Sequence, residues 1–233
     1  EETIMNIESE SWKETLVSFL TDAPPSNQLE QAITKIDLIE DFDTGIVDEI
    51  PFVSTLVAGF RTARNIQTRF LLRKLLRFFS SGSEIPQEER SKFLGQLDVD
   101  AFYRQRVTDG LIILLDRYDH IDKAYLLGKL LAGFILEKMD EEAFWRIGAA
   151  INQAYIGDLR HLLVGYSELY YRVEPWERLH ASGLAKLKVD VKVGREYGLI
   201  EEVKLKYESN GDAHLLAQLV LGEDFQPWFK PFH

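Results

Sequence analysis

Asp190, Glu202 and Lys204 are the residues whose types and order come nearest to a catalytic set. Asp190 stands in one alternating segment, and the triplet Glu202-Val203-Lys204 stands in the next. Two carboxylates on neighbouring strands can hold Mg²⁺, and a lysine beside them can orient a water or stabilise developing charge. The same residues on the wet face of a hairpin make ordinary cross-strand ion pairs, and that reading is favoured. Two acid/histidine pairs have helical ligand spacing, Asp116 with His120 and Asp158 with His161, but neither brings a third ligand. Capping explains the first pair, because Asp and His are common where a helix ends. Asp43-Thr44-Gly45 could supply one of two carboxylates that share a proton, but the triplet occurs once and falls between helices. Asp43 is expected to be a turn residue before Gly45. There is no Gly-rich phosphate loop and no nucleophile elbow. The chain has no cysteine, which removes thiolate metal sites, disulfides and a cysteine nucleophile. No metal site and no cofactor are expected.

The elements that would carry these residues are mostly helices. "SWKETLVSFL" is a short amphipathic helix, "APPSN" breaks it, and Leu29, Ile33, Ile36 and Ile39 recur at near-helical spacing in residues 28–41. A long helix is expected from Pro51 to Phe79, then "SSGSEIPQEER" as a loop and helix start. Helices follow over about 98–118, from His120 with Asp122 as cap or first-turn acid, from Asp140, and from Gly157. Their short connections predict antiparallel packing in a bundle. "KLKVDVKV" alternates strictly, with Leu187, Val189, Val191 and Val193 against Lys186, Lys188, Asp190 and Lys192, and "EEVKLKY" alternates after it. Period two on both sides of a glycine-bearing link predicts a hairpin. Helix, hairpin and helix in that order resemble part of a winged-helix unit. The fold expected is mainly α: a multi-helix bundle with a small C-terminal α+β unit. Residues 1–49 read as an acidic helical arm, 50–175 as the bundle, and 176–233 as the small unit.

The 233 residues carry a formal net charge of −11, unevenly placed. Residues 1–50 hold 13 acidic and 2 basic residues, whereas residues 51–83 hold 6 basic and no acidic ones. The acidic arm is therefore expected to pack beside the basic segment, anchored by Trp12, Leu16 and Phe19. "RNIQTRFLLRKLLRFF", Arg64 to Phe79, is both basic and rich in Leu and Phe. Arg61, Arg64, Arg69, Arg73, Lys74 and Arg77 are its candidate interaction residues, with Arg69, Arg73 and Arg77 on one i,i+4 stripe. Such a helix can lie on an anionic membrane, but the leading reading is a core helix with a basic edge. No run reaches the roughly 20 apolar residues that a spanning helix needs. The C-terminal unit, residues 176–233, has 9 acidic and 8 basic residues, which argues against a nucleic-acid footprint. Because the chain opens on Glu1 rather than Met, its natural start is expected to be missing or processed.

Two resemblances attach to the C-terminal third. Asp190 with Glu202 and Lys204 looks like the PD-(D/E)xK nuclease pattern, but Val189 stands where that family favours Pro and no third core strand is evident. "ERLHASGL", a charged hairpin and "YESNGDAHLLAQLVLG" are similar in layout to the bacterial Abi-alpha (abortive infection) proteins. Those end with a helix reaching a Leu-Gly-Leu turn, a variable hairpin and a Tyr-Leu-Thr-x-x-Gly-like segment. Here "SGL" and "YESNG" stand in those places and the Leu-Thr is absent. The resemblance covers the last fifty residues and implies a bacterial or phage-defence setting, no known enzymatic residues and no mechanism.

The sequence thus points first to a non-enzymatic interaction or regulatory protein acting through helical surfaces, cytoplasmic or peripheral to a membrane. The alternatives are a metal-dependent nuclease at Asp190, Glu202 and Lys204, and a peripheral membrane effector using residues 61–77. A protein partner is expected; a homo-oligomer or an anionic membrane surface is compatible with the pattern, and nucleic acid is disfavoured.

Overall fold

The computed structural model describes residues 14–38, 66–164, 173–193 and 200–222. It is mainly helical, with one small antiparallel sheet near the C-terminus. The chain divides into two compact units, Glu1–Phe144 and Trp145–His233. The segments around Asp43 and from Pro51 to Asn65 lie outside the described residues. Among the described residues, no helix is long and apolar enough to cross a membrane.

The first unit begins with α1 (residues 14–21) and α2 (Ser26–Leu38), which the sequence sets in an acidic arm. They share their unit with α3 (Ile66–Gly82), α4 (Gln87–Val99), α5 (Ala101–Arg117) and α6 (Ile121–Ile135). The main helix pair is α3 against α6, and α2 lies against α3. Leu72, Leu75, Leu76, Phe78 and Phe79 of α3 are buried, as are Leu127, Leu130 and Leu131 of α6. Leu16, Phe19 and Leu20 of α1 and Leu29 of α2 complete this core, with the Phe19 and Phe79 rings 4.7 Å apart. Each such side chain stabilises the fold by about 1.5–3 kcal/mol relative to exposure. Gly128 allows the α3–α6 approach. A Cβ there would lie 1.9 Å from Ser81 Oγ and 2.3 Å from the Phe78 carbonyl oxygen.

Side chains at Asp100, His120 and Asp140 begin three of the helices. The reading of about 98–118 as a single helix is corrected at Asp100: residues 98 and 99 end α4, and α5 begins at Ala101. Asp100 adopts an extended backbone, and its carboxylate accepts from the N–H groups of Phe102 and Tyr103 at 2.9 and 3.0 Å. That cap separates α4 from α5. At α6 the cap is His120, whose Nδ1 accepts from the Asp122 N–H at 3.1 Å, and Asp122 falls in the first turn. Asp140 caps α7 (Glu141–Gln153) by accepting from the Ala143 N–H at 2.7 Å.

The second unit holds α8 (Ile156–Val164), α9 (Val173–Ala181), the strands β1 (Ala185–Val193) and β2 (Ile200–Ser209), and α10 (Gly211–Leu221). The helices α9 and α10 both pack on α8, and α9 packs on both strands. The strands form an antiparallel pair with Lys186 opposite Glu208, Lys188 opposite Lys206, Asp190 opposite Lys204 and Lys192 opposite Glu202, and an irregularity follows Lys192. The helix–hairpin–helix order expected from the sequence is therefore present.

Candidate interaction surface

The base of the hairpin is locked by polar contacts. Asn210 caps α10 by accepting from the Ala213 N–H at 3.0 Å, and its Nδ2 donates to the Gly183 carbonyl at 2.6 Å. Gly183 has φ +88°, a left-handed turn that glycine adopts without strain and that ends α9. His180 donates from Nδ1 to the Ala185 carbonyl at 2.9 Å, and its ring lies 5.7 Å from that of Tyr207. Ser209 and His214 share a hydrogen bond of 2.6 Å between Oγ and Nε2. A serine and a histidine so placed invite comparison with a nucleophile and its base. Ser209 is buried, however, and the nearby acid Asp212 is held by Arg146 in contacts of 2.7 and 2.9 Å, so the pair reads as a lock.

Beyond this base the strand leaves cover. Ala185 is buried, but every residue of β1 from Lys186 to Asp190 is exposed. Strict alternation predicts that one face of β1 is covered; instead Leu187 is 38% exposed and Val189 51%. Among the described residues the sheet has two strands, so each strand has an edge without a neighbour. A two-stranded hairpin is marginal in water, and an exposed edge is a template for another strand. Asp190 and Lys204 are opposite each other and exposed, and the side chain of Glu202 lies outside the described residues. Lys186 pairs with Glu208 at 3.2 Å, whereas Lys188 faces Lys206, a like-charge pair.

The basic helix serves the interior. Lys74, grouped by sequence with an exposed basic edge, is 2% exposed. Its ammonium donates to the carbonyls of Asp116 and Tyr118 at 2.8 and 3.0 Å, satisfying acceptors at the C-terminal end of α5. Burial lowers its pKa, opposed by the charges of Asp116 and Asp119. Arg77 pairs with Glu30 of α2 and lies 5.0 Å from the centre of the Tyr125 ring. The acidic and basic segments therefore do meet here, with Leu16 and Phe19 as apolar anchors; Trp12 lies outside the described residues. Arg73 is half-buried, Arg61 and Arg64 lie outside the described residues, and so does the side chain of Arg69. Arg90 repeats the device at the end of α1, donating to the Phe19 carbonyl at 3.1 Å while Gln87 donates to that of Thr21 at 2.7 Å.

The acid/histidine pairs are spent separately. Asp158 is buried and accepts two bonds of 2.7 Å from Arg178, and His161 bonds the Gly157 carbonyl. Among the described residues no group of three His, Asp or Glu is placed to hold a metal ion. Among the described residues outside the hairpin, the most exposed large apolar side chains are Val99 (90%) and Phe102 (76%), on either side of the Asp100 cap. No protein-family model, no curated protein and no solved structure matches this chain.

Proposed function

We propose that this protein is a non-enzymatic interaction protein and that its C-terminal hairpin is the element that takes a protein partner. One observation carries this reading: Leu187 and Val189, on the apolar side of a strictly alternating strand, are exposed beside a strand edge that has no neighbour among the described residues. An extended partner segment adds main-chain hydrogen bonds to such an edge and selectivity through alternate side chains. The basic helix serves here as a support, because Leu72, Leu75, Leu76, Phe78 and Phe79 are buried within its own unit.

A bacterial, phage-defence role and a cytoplasmic setting belong to the same proposal. Their support is the likeness to the Abi-alpha layout, and the two segments that carry it, "SGL" and "YESNG", are joined through Gly183 and Asn210. The test is a photo-crosslinking residue placed at 187 or 189 of the full chain in cells. Discrete protein adducts should form at both positions and not at exposed Lys92 of α4. Equal, background-level crosslinking at all three would overturn the hairpin reading.

A further inference from the structure

We infer that the partner strand taken by the β1 edge carries an acidic residue between two apolar ones, with the acid set opposite Lys188. This rests on the hairpin being the contact surface, and it adds the chemistry of the partner. The observation is a charge that the hairpin leaves unanswered. On the polar face of β1, Lys186 pairs with Glu208 at 3.2 Å and Asp190 stands opposite Lys204, but Lys188 stands opposite Lys206. Both of these lysines are exposed, and neither makes an ion pair among the described residues. Like charges directly opposite each other are destabilising, so the middle of β1 holds a local excess of positive charge in a chain whose net charge is −11.

The strand β2 occupies one flank of Lys188, and on the other flank β1 has no neighbour among the described residues. A strand added there sets one residue opposite Lys188 on the polar face and the residues before and after it opposite Leu187 and Val189 on the apolar face. A carboxylate at the first position supplies the ion pair that Lys206 cannot. Apolar side chains at the other two positions cover Leu187 and Val189, which are 38% and 51% exposed. The order apolar, acidic, apolar reads the same in both directions, so it holds for parallel and antiparallel addition. Selection also works by exclusion, because a strand with a basic residue at the central position would extend the row of positive charge begun by Lys188 and Lys206. Edge lysines keep sheets from pairing indiscriminately, and Lys188 admits the strand that brings its acid. A second copy is the weaker occupant. Antiparallel pairing of two β1 strands about Val189 sets Lys188 opposite Asp190 twice but also Lys186 opposite Lys192 twice, and the two effects offset.

Fluorescence anisotropy with the full chain and three labelled peptides tests this. Each peptide alternates threonine and valine, and its central threonine is replaced by glutamate, glutamine or lysine. Wild type should bind the glutamate peptide most tightly, and more tightly than the lysine peptide by roughly fivefold or more. Raising the salt concentration should shrink that ratio. Lys188→Glu should invert the order of the glutamate and lysine peptides, and an inverted preference requires a folded hairpin. Lys206→Glu leaves the edge untouched but gives Lys188 an acid within its own hairpin. It should bring the glutamate and glutamine peptides to within about twofold of each other. A glutamate preference that survives Lys188→Glu, or the absence of binding by any peptide, overturns the inference. If wild type binds all three peptides equally, charge does not select the strand and the inference fails, while the hairpin reading stands. Crosslinking at 187 and 189 in cells judges that reading separately.

Discussion

The buried ammonium of Lys74 donates to the carbonyl oxygen of Tyr118, 3.0 Å away and 44 residues further along the chain, at the C-cap of α5. With the second bond to Asp116 it supplies donors that the end of α5 lacks within its own backbone. Lys74→Met keeps the stem and removes the donors. It should destabilise the first unit by about 1–3 kcal/mol, the usual cost of leaving buried polar groups unpaired, measured by urea unfolding.

The same pair makes a pH prediction. Burial lowers the Lys74 pKa in the folded state below the ordinary value of 10.5, so the unfolded chain binds more protons between the two values. Stability from this group therefore rises with pH across the alkaline window that ends near 10.5. The gap in stability between wild type and Lys74→Met should widen as pH rises through that window. A constant gap would show that Lys74 titrates alike in both states.

Gly128 and Gly95 should respond to alanine in opposite senses. At Gly128 the new Cβ would meet the Phe78 carbonyl at 2.3 Å, and backbone cannot rotate away as Ser81 can. Gly128→Ala should cost about 1–3 kcal/mol or more, and removing the serine as well with Ser81→Ala should not restore it. At Gly95, within α4, a Cβ meets nothing within 4 Å. Gly95→Ala should stabilise by roughly 0.5–1 kcal/mol through helix propensity. Thermal melts of the two variants read both signs.

Apolar burial rather than charge should hold the N-terminal helices in place. Phe19 is buried against Phe79, whereas the Arg77–Glu30 pair is partly solvated. Phe19→Ala should cost about 3–5 kcal/mol. Glu30→Gln should cost about 0–1 kcal/mol and lose that effect in high salt. If chemical denaturation gave the two variants equal losses, electrostatics would be the main fastening.

Several features of this chain were legible from local pattern. The alternation in "KLKVDVKV" and "EEVKLKY" dictates a hairpin, because period two places side chains on opposite faces of a strand. Asp140 reads as a helix start and serves as one, because a cap needs only neighbours two or three residues away. The same holds for the mainly α composition and for a basic helix dominated by Leu and Phe.

Tertiary structure decided how each charge is used. Lys74 and Arg77 lie three residues apart on α3, yet one is buried against the end of α5 and the other meets Glu30 at the rim. Asp158 and His161 have the spacing of metal ligands, yet Asp158 is claimed by Arg178, 20 residues on. No window along the chain contains those partners, because hydrogen bonds and burial depend on distance in space, and packing brings together residues tens of positions apart. The alternation in β1 likewise predicts an apolar face without saying whether anything covers it. The exposure of Leu187 and Val189 is a property of the packed unit, since only the placement of the other elements determines how much of a strand remains in water.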